Sequence, residues 1–283
     1  MTTQHAEQLP VEATQDPGGA LPVPGSATET ARFRRGGVGA GPVTREVPVE
    51  APVAIEVDGL SVAVLMATPV DLADFGRGFV RAEGLIQGAD DIRDIEVVRV
   101  PAGHVVRVRL RSDARHRVFA RQRTRAVESA CGLCGVATLE AALPPLPRLA
   151  RPLSVRAEAL ETAYRALPDR QRLGRRTSAM HAAALCDPDG RIRLVREDVG
   201  RHSALDKLVG AALAEGIETT EHFALVTSRL SFELVEKAVR APLGALAAIS
   251  APTSLALDRA RDAGLPVHAL VRGATFLSAD DGE

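Results

Sequence analysis

Phe223-Ala224-Leu225-Val226-Thr227 is a short apolar run, and the pattern of the chain after it decides the fold. Phe232 to Arg240 has helical spacing, Ala245 to Ser250 is apolar again, Ser254 to Ala263 is helical again, and Val267 to Val271 is a further apolar run. Alternation of strand and helix predicts a mixed or parallel sheet covered by helices, an α/β unit. Working upstream, Met180 to Cys186 and Ile192 to Glu197 read as strands flanking the turn Asp187-Pro188-Asp189-Gly190. A helix is predicted between them and Phe223, from about His202 to Glu215, stopped by Gly216.

Further upstream the pattern changes. Val53 to Val57, the pair Asp58-Gly59 and Leu60 to Met66 read as a hairpin with a two-residue turn. Thr68-Pro69 is expected to open a helix, with the threonine as cap and the proline at the first helical position. Leu72, Phe75 and Phe79 share its buried face, and Gly84 ends it. Ile92 to Val100 and Val105 to Leu110 are predicted strands. In the second, Val106, Val108 and Leu110 alternate with Arg107, Arg109 and Arg111, which leaves one face solvated. The stretch 111–125 carries arginines at 111, 115, 117, 121, 123 and 125, either a solvated bridge or an anion-attracting patch. Residues 1–45 form a tail: Met1 to Pro42 holds five Pro and seven Gly without lasting apolar period and is expected to be disordered. The expected layout is therefore a tail (1–45), a small α+β unit with the arginine-rich bridge (46–125) and an α/β unit (126–283).

Composition narrows the function. A chain of 283 residues with net charge -1 gives no global case for binding nucleic acid or a membrane. No Trp and one Tyr argue against base stacking as the main activity. No apolar run is long enough to span a bilayer, and no basic region followed by an apolar core marks a signal peptide. Three cysteines make no secreted disulfide framework, so a cytoplasmic location is expected.

Two of those cysteines stand in Cys131-Gly132-Leu133-Cys134-Gly135. Such a pair can hold a metal, shuttle a disulfide or carry sulfur as a persulfide. A following helix, Val136 to Ala142, and the upstream arginines would favour thiolate, and the glycines suit a mobile loop. A zinc site needs four ligands, and only Cys186, His181 and His202 are available to complete one. The zinc-deaminase pattern fails, because Ser129-Ala130 precedes the pair and His181-Ala182-Ala183 lacks the glutamate. A thioredoxin-type dithiol would open a helix after a first strand, not follow a complete small unit. His181, Arg201, His202 and Lys207 are further candidates: a histidine to protonate or orient a thiol, cations to hold phosphates. The plain alternatives are a His202 that only caps or packs and a Lys207 on a solvated helix face.

Several ordered segments resemble one family, the FdhD sulfur carriers, accessory sulfurtransferases for formate dehydrogenase. They are Thr68-Pro69-Val70-Asp71 with Gly78 to Gly84, Glu128-Ser129-Ala130-Cys131-Gly132-Leu133-Cys134-Gly135, and Met180-His181-Ala182-Ala183. Glu197-Asp198-Val199-Gly200-Arg201-His202-Ser203-Ala204-Leu205-Asp206-Lys207, Ser231-Phe232-Glu233-Leu234-Val235, Ser250 to Ala256 and Val271-Arg272-Gly273 complete the set. The resemblance runs from about Glu46 to Phe276. It implies a sulfur carrier that accepts sulfur from a cysteine desulfurase as a cysteine persulfide. The carrier then transfers the sulfur to the molybdenum bis-guanine-dinucleotide cofactor, bound as substrate, before that cofactor enters formate dehydrogenase. It further implies a cytidine-deaminase-like topology for the second unit and a homodimer. By this match Cys131 carries the persulfide and Cys134 relays or resolves it, with no metal held by the protein. Leu270, Val271, Arg272, Gly273, Ala274 and Thr275 align with the cofactor-contacting segment; Arg272 would pair with a pyrophosphate oxygen and Gly273 would let backbone approach it. The alternative function is a non-catalytic cofactor-binding chaperone of formate dehydrogenase with structural or zinc-binding cysteines. The chain departs from the family pattern where Thr177-Ser178-Ala179 replaces T-G-G and Thr227-Ser228-Arg229 replaces S-G-R, and in lacking a tyrosine after the last block.

Overall fold

The computed structural model describes residues 26–36, 40–111 and 143–279. The cysteine pair, the helix expected over 136–142, the arginine bridge beyond Arg111 and the start of the tail lie outside the described residues.

The first unit is a four-stranded sheet with one helix across it. β3 (Ala51–Val57) and β4 (Leu60–Ala67) form the expected hairpin, closed by Asp58 and Gly59, both at positive φ. β5 (Ile92–Val100) and β6 (Gly103–Leu110) pair antiparallel, and β6 lies parallel to β3, giving the order β4-β3-β6-β5. Helix α1 (Leu72–Ala82) buries Leu72, Phe75, Phe79 and Val80 against Val53, Ile55, Val106, Val108 and Leu110. It ends as expected: Gly84 takes φ 71°, and the Gly84 and Leu85 amides bond back to the Arg81 and Val80 carbonyls.

The second unit is a mixed six-stranded sheet. Its strands are β7 (His181–Cys186), β8 (Ile192–Asp198), β9 (Phe223–Val226), β10 (Ala245–Ala248), β11 (Val267–Arg272) and β12 (Thr275–Ser278). The order is β12-β11-β10-β9-β7-β8, parallel across β9-β10-β11 and antiparallel at β12 and β7. Successive side chains alternate between two cores. Ala183, Leu185, Ala224, Val226, Leu246 and Ala248 face α4 (Arg201–Ala214), α5 (Phe232–Arg240) and α6 (Ser254–Ala263). Ala182, Ala184, Cys186, Phe223, Leu225, Ala245 and Ala247 share the other core with α2 (Ala157–Arg170). Alanine on the strands keeps both helix layers close to the sheet. The α/β expectation holds, with a mixed sheet between helices.

Four differences from the sequence reading have physical causes. Thr68 does not cap α1, because its amide, carbonyl and hydroxyl all bond to groups of the second unit; Asp71, in left-handed backbone at φ 53°, precedes Leu72 instead. Part of the expected tail is ordered: β1 (Thr28–Arg35) and β2 (Gly41–Pro48) pair in full antiparallel register. Arg176 of the short helix α3 (Arg172–Thr177) secures that hairpin by bonding the Glu46 carboxylate and the Thr28 hydroxyl. Helix α2 escapes the sequence reading, although Ala159, Leu160, Ala163 and Leu167 have helical spacing; its interior Pro168 disguises it. Lys207 is not on a solvated face but fully buried.

The two units are joined through α1 and α4. A Cβ on Gly78 would overlap the Asp206 carbonyl, and one on Gly210 would overlap the Asp74 carbonyl. Glycine at both positions therefore lets the two backbones touch.

Candidate functional site

β8, β9, β10 and β11 run the same way, so their carboxyl ends lie along one edge of the sheet, where β7 begins with His181. Ligands of open α/β sheets bind outside this edge. Main-chain bonds stitch the edge together: Thr227 N to Ala182 O, Ile249 N to Val226 O, Leu230 N to Ala251 O and Leu270 N to Ser250 O. The first turns of α4, α5 and α6 start here, so unpaired amides and positive dipole ends gather along it.

The acidic pair that ends β8 is structural. Glu197 accepts from the Leu173 and Gly174 amides at 2.9 and 2.8 Å and so caps α3. Asp198 accepts from the Thr68 amide at 3.0 Å and the Gly200 amide at 2.8 Å, and pairs with Lys207 Nζ at 2.6 Å. Lys207 also donates to the Thr68 carbonyl at 2.9 Å. Burial pushes the Asp198 carboxyl above its ordinary range while Lys207 and the two amides pull it back. Deeper in, Lys237 Nζ donates to both carboxylate oxygens of Asp206 at 2.8 Å and lies 3.7 Å from Glu83. Burial pushes Asp206 up to about 6 against the pull of Lys237. The first network fixes the turn that presents Arg201 and His202, because the Val199 amide donates to the Thr68 hydroxyl and the Gly200 amide to Asp198.

His202 lies beside Glu233, with Nε2 and Oε2 3.9 Å apart. Burial, then Lys237, Arg201 and His181, push the imidazole down to about 3, so it is neutral. His181, half-buried at the start of β7, is lowered by burial and then Arg201. Structure thus brings three sequence candidates together, His181, Arg201 and His202, and assigns Lys207 a structural role behind them. Ser231 and Glu233, which the S-F-E-L-V segment contains without an assigned role, join them at the start of α5.

The segment Leu270 to Thr275 forms the end of β11 and its turn into β12 at the same edge. Leu270 takes φ 52° within a bulge and Gly273 takes φ 61°. Val271 is buried, whereas Arg272, Ala274 and Thr275 are exposed. Left-handed backbone at a non-glycine residue is strained and tends to persist where geometry matters.

Cys131 and Cys134 lie outside the described residues. Cys186 is described and does not suit sulfur chemistry. It is fully buried at the far end of β7, and burial followed by Asp187 pushes its thiol up. Nor can it share a metal with His181, since five strand steps separate them by roughly 16 Å. Among the described residues no cluster of His, Cys, Asp or Glu has metal-binding geometry, and no helix is long and apolar enough to cross a membrane.

Comparison with known proteins identifies the family. The model of the FdhD/NarQ family matches residues 48–278. A "Sulfur carrier protein FdhD" of Bordetella petrii is 44% identical over 243 residues, 86% of this chain and 87% of that protein. Its counterpart in Variovorax paradoxus is 47% identical over 230 residues, 80% and 82% of the two chains. A crystal structure described as a formate dehydrogenase accessory protein from Desulfotalea psychrophila superposes with TM-score 0.66 at 25% identity, covering 89% of this chain and 96% of the other. With the family model matching residues 48–278 and relatives more than 40% identical over at least four fifths of both chains, the chain belongs to the FdhD/NarQ family.

Proposed function

We propose that this protein is a persulfide sulfurtransferase that serves formate dehydrogenase. It accepts sulfur from a cysteine desulfurase on Cys131 and, with Cys134 as relay, delivers it to the molybdenum bis-guanine-dinucleotide cofactor before that cofactor is inserted. In the accepting step the donor's S–S bond breaks and a new S–S bond forms on Cys131; the Cys131 proton goes to the departing thiolate.

The observation that carries this reading is the state of Cys186. A sulfur carrier needs an accessible thiol with thiolate character. The chain has three cysteines, and the third is sealed in the core with its thiol pushed up, which leaves Cys131 and Cys134. The carboxyl edge of the sheet supports the second half of the reading. Helix first turns, exposed Arg272 and the glycine turn at 273 suit the phosphates of a dinucleotide held as substrate by Leu270 to Thr275. The reading places the protein in the cytoplasm, where free thiols persist, and has it act as a homodimer.

Complementation tests it. In a strain lacking its own carrier, the wild-type chain restores formate dehydrogenase activity and Cys131→Ala does not. Full activity from the Cys131→Ala/Cys134→Ala double variant would overturn persulfide transfer and leave a cofactor-binding chaperone.

A further inference from the structure

The ribbon of β1 and β2 carries chemistry that the site does not use. Each strand has eight residues, so the ribbon is about 27 Å long. Among the described residues its side-chain bonds to the body are those of Thr28 and Glu46 with Arg176, at its base. Residues opposite one another share a face, and faces alternate along each strand. Thr28, Glu46, Arg32 and Arg34 lie on the face that Arg176 holds. Ala31, Phe33, Val43 and Val47 lie on the other, with Arg35 and Arg45, and Glu29 is its one acid. Arg32, Arg34, Arg35 and Arg45 are exposed and have no carboxylate partner among the described residues, and Phe33 is 48% exposed. A two-stranded ribbon is at best marginal alone, and an aromatic among unpaired arginines has the composition of a protein interface. The root of the ribbon is tied to the site edge. Helix α3, which carries Arg176, is capped by Glu197 from the end of β8 and leads through Ser178 into His181.

We infer that the β1–β2 ribbon is a docking arm for the protein that receives the sulfurated cofactor, and that its Phe33 face lies on an acidic surface with an apolar centre. This assignment rests on the sulfur-carrier reading. Charge sets the kind of partner: four arginines without local acids call for carboxylates on the other side. The apolar stripe of Ala31, Phe33, Val43 and Val47 runs between the arginines, which suits a protein surface rather than a nucleic-acid backbone. The root beside the edge favours the receiver over the sulfur donor, because the reading holds the cofactor at that edge. Arg176 holds the ribbon in place from the opposite face, so the Phe33 face is presented already ordered.

Affinity of the full chain for purified, cofactor-free formate dehydrogenase, measured by biolayer interferometry at several salt concentrations, tests this. The variant Phe33→Ser/Arg35→Glu/Arg45→Glu is expected to weaken binding about tenfold or more and to flatten its dependence on salt. Its sulfur gain from a cysteine desulfurase and cysteine, its oligomeric state and its melting point should match the wild type. Glu46→Ala separates an ordered arm from loose positive charge, since it cuts the Arg176 anchor yet leaves the arm more basic. It is expected to weaken binding, and tighter binding would overturn the inference. So would wild-type affinity in the triple variant, no binding by the wild type, or equally tight binding of a random DNA duplex. Lost sulfur gain in the triple variant would give the arm to the donor instead, and a dimer that dissociates would give it to a second copy; either result overturns the inference. No sulfur gain in the wild type with an active desulfurase would defeat the sulfur-carrier reading, while the affinities still decide whether the arm docks.

Discussion

Protonating His202 would place a cation beside Lys237 and Arg201 in a buried site, so the folded chain resists it until about pH 3. The unfolded chain takes up that proton near pH 6.5. Below pH 6.5 the unfolded state therefore binds more protons, and stability falls as the pH drops toward 3. His181 and His268 are lowered as well and act in the same direction. The largest slope from His202 is about 1.4 kcal/mol per pH unit. Urea denaturation between pH 7 and 5 should show this decline, and His202→Asn should flatten it. Ser178 offers a second test. It takes φ 57° at the end of α3, left-handed backbone that glycine adopts without strain. Ser178→Gly should stabilise the chain by about 0.5–1 kcal/mol, read as a higher denaturant midpoint. The sequence shows a serine there but not its cost, because nothing local says that the backbone is left-handed.

At the scale of elements, local signals carry far. The helices expected at Phe232 to Arg240 and Ser254 to Ala263 appear with those bounds, each closed by a partner strand. Elements whose reasons lie elsewhere in the chain are harder to read. Thr68 resembles a helix cap but serves Asp198, 130 residues away. The β1–β2 hairpin reads as part of a Pro/Gly-rich tail because Arg176, which secures it, lies far downstream. A two-stranded hairpin is at best marginal alone. Breaking that anchor with Arg176→Ala should leave the main melting transition in place while raising amide exchange across Thr28 to Pro48. The glycine contact of α1 with α4 makes a stronger demand. Gly210→Val forces the helices apart and should cost more than about 3 kcal/mol, measured by equilibrium unfolding.

Across the whole molecule the two units share one buried polar seam, and the seam supports the edge where the site lies. Lys207→Met would leave Asp198 buried without its cation and should cost about 3–5 kcal/mol, measured by equilibrium unfolding. Adding Asp198→Asn should restore part of that loss, because the remaining charge is gone. Sequence candidates for the site divide accordingly. His181, Arg201 and His202 reach the edge, Lys207 holds the seam, and Glu233 comes beside His202 only through the placement of α5 next to α4. The central claim concerns which sulfur atom carries the cargo, and intact-protein mass spectrometry after incubation with a cysteine desulfurase and cysteine tests it most directly. Wild type and Cys186→Ala should gain one sulfur mass that reduction removes, and Cys131→Ala should gain none. Unchanged gain in the Cys131→Ala/Cys134→Ala double variant, or loss of gain only in Cys186→Ala, would contradict the account.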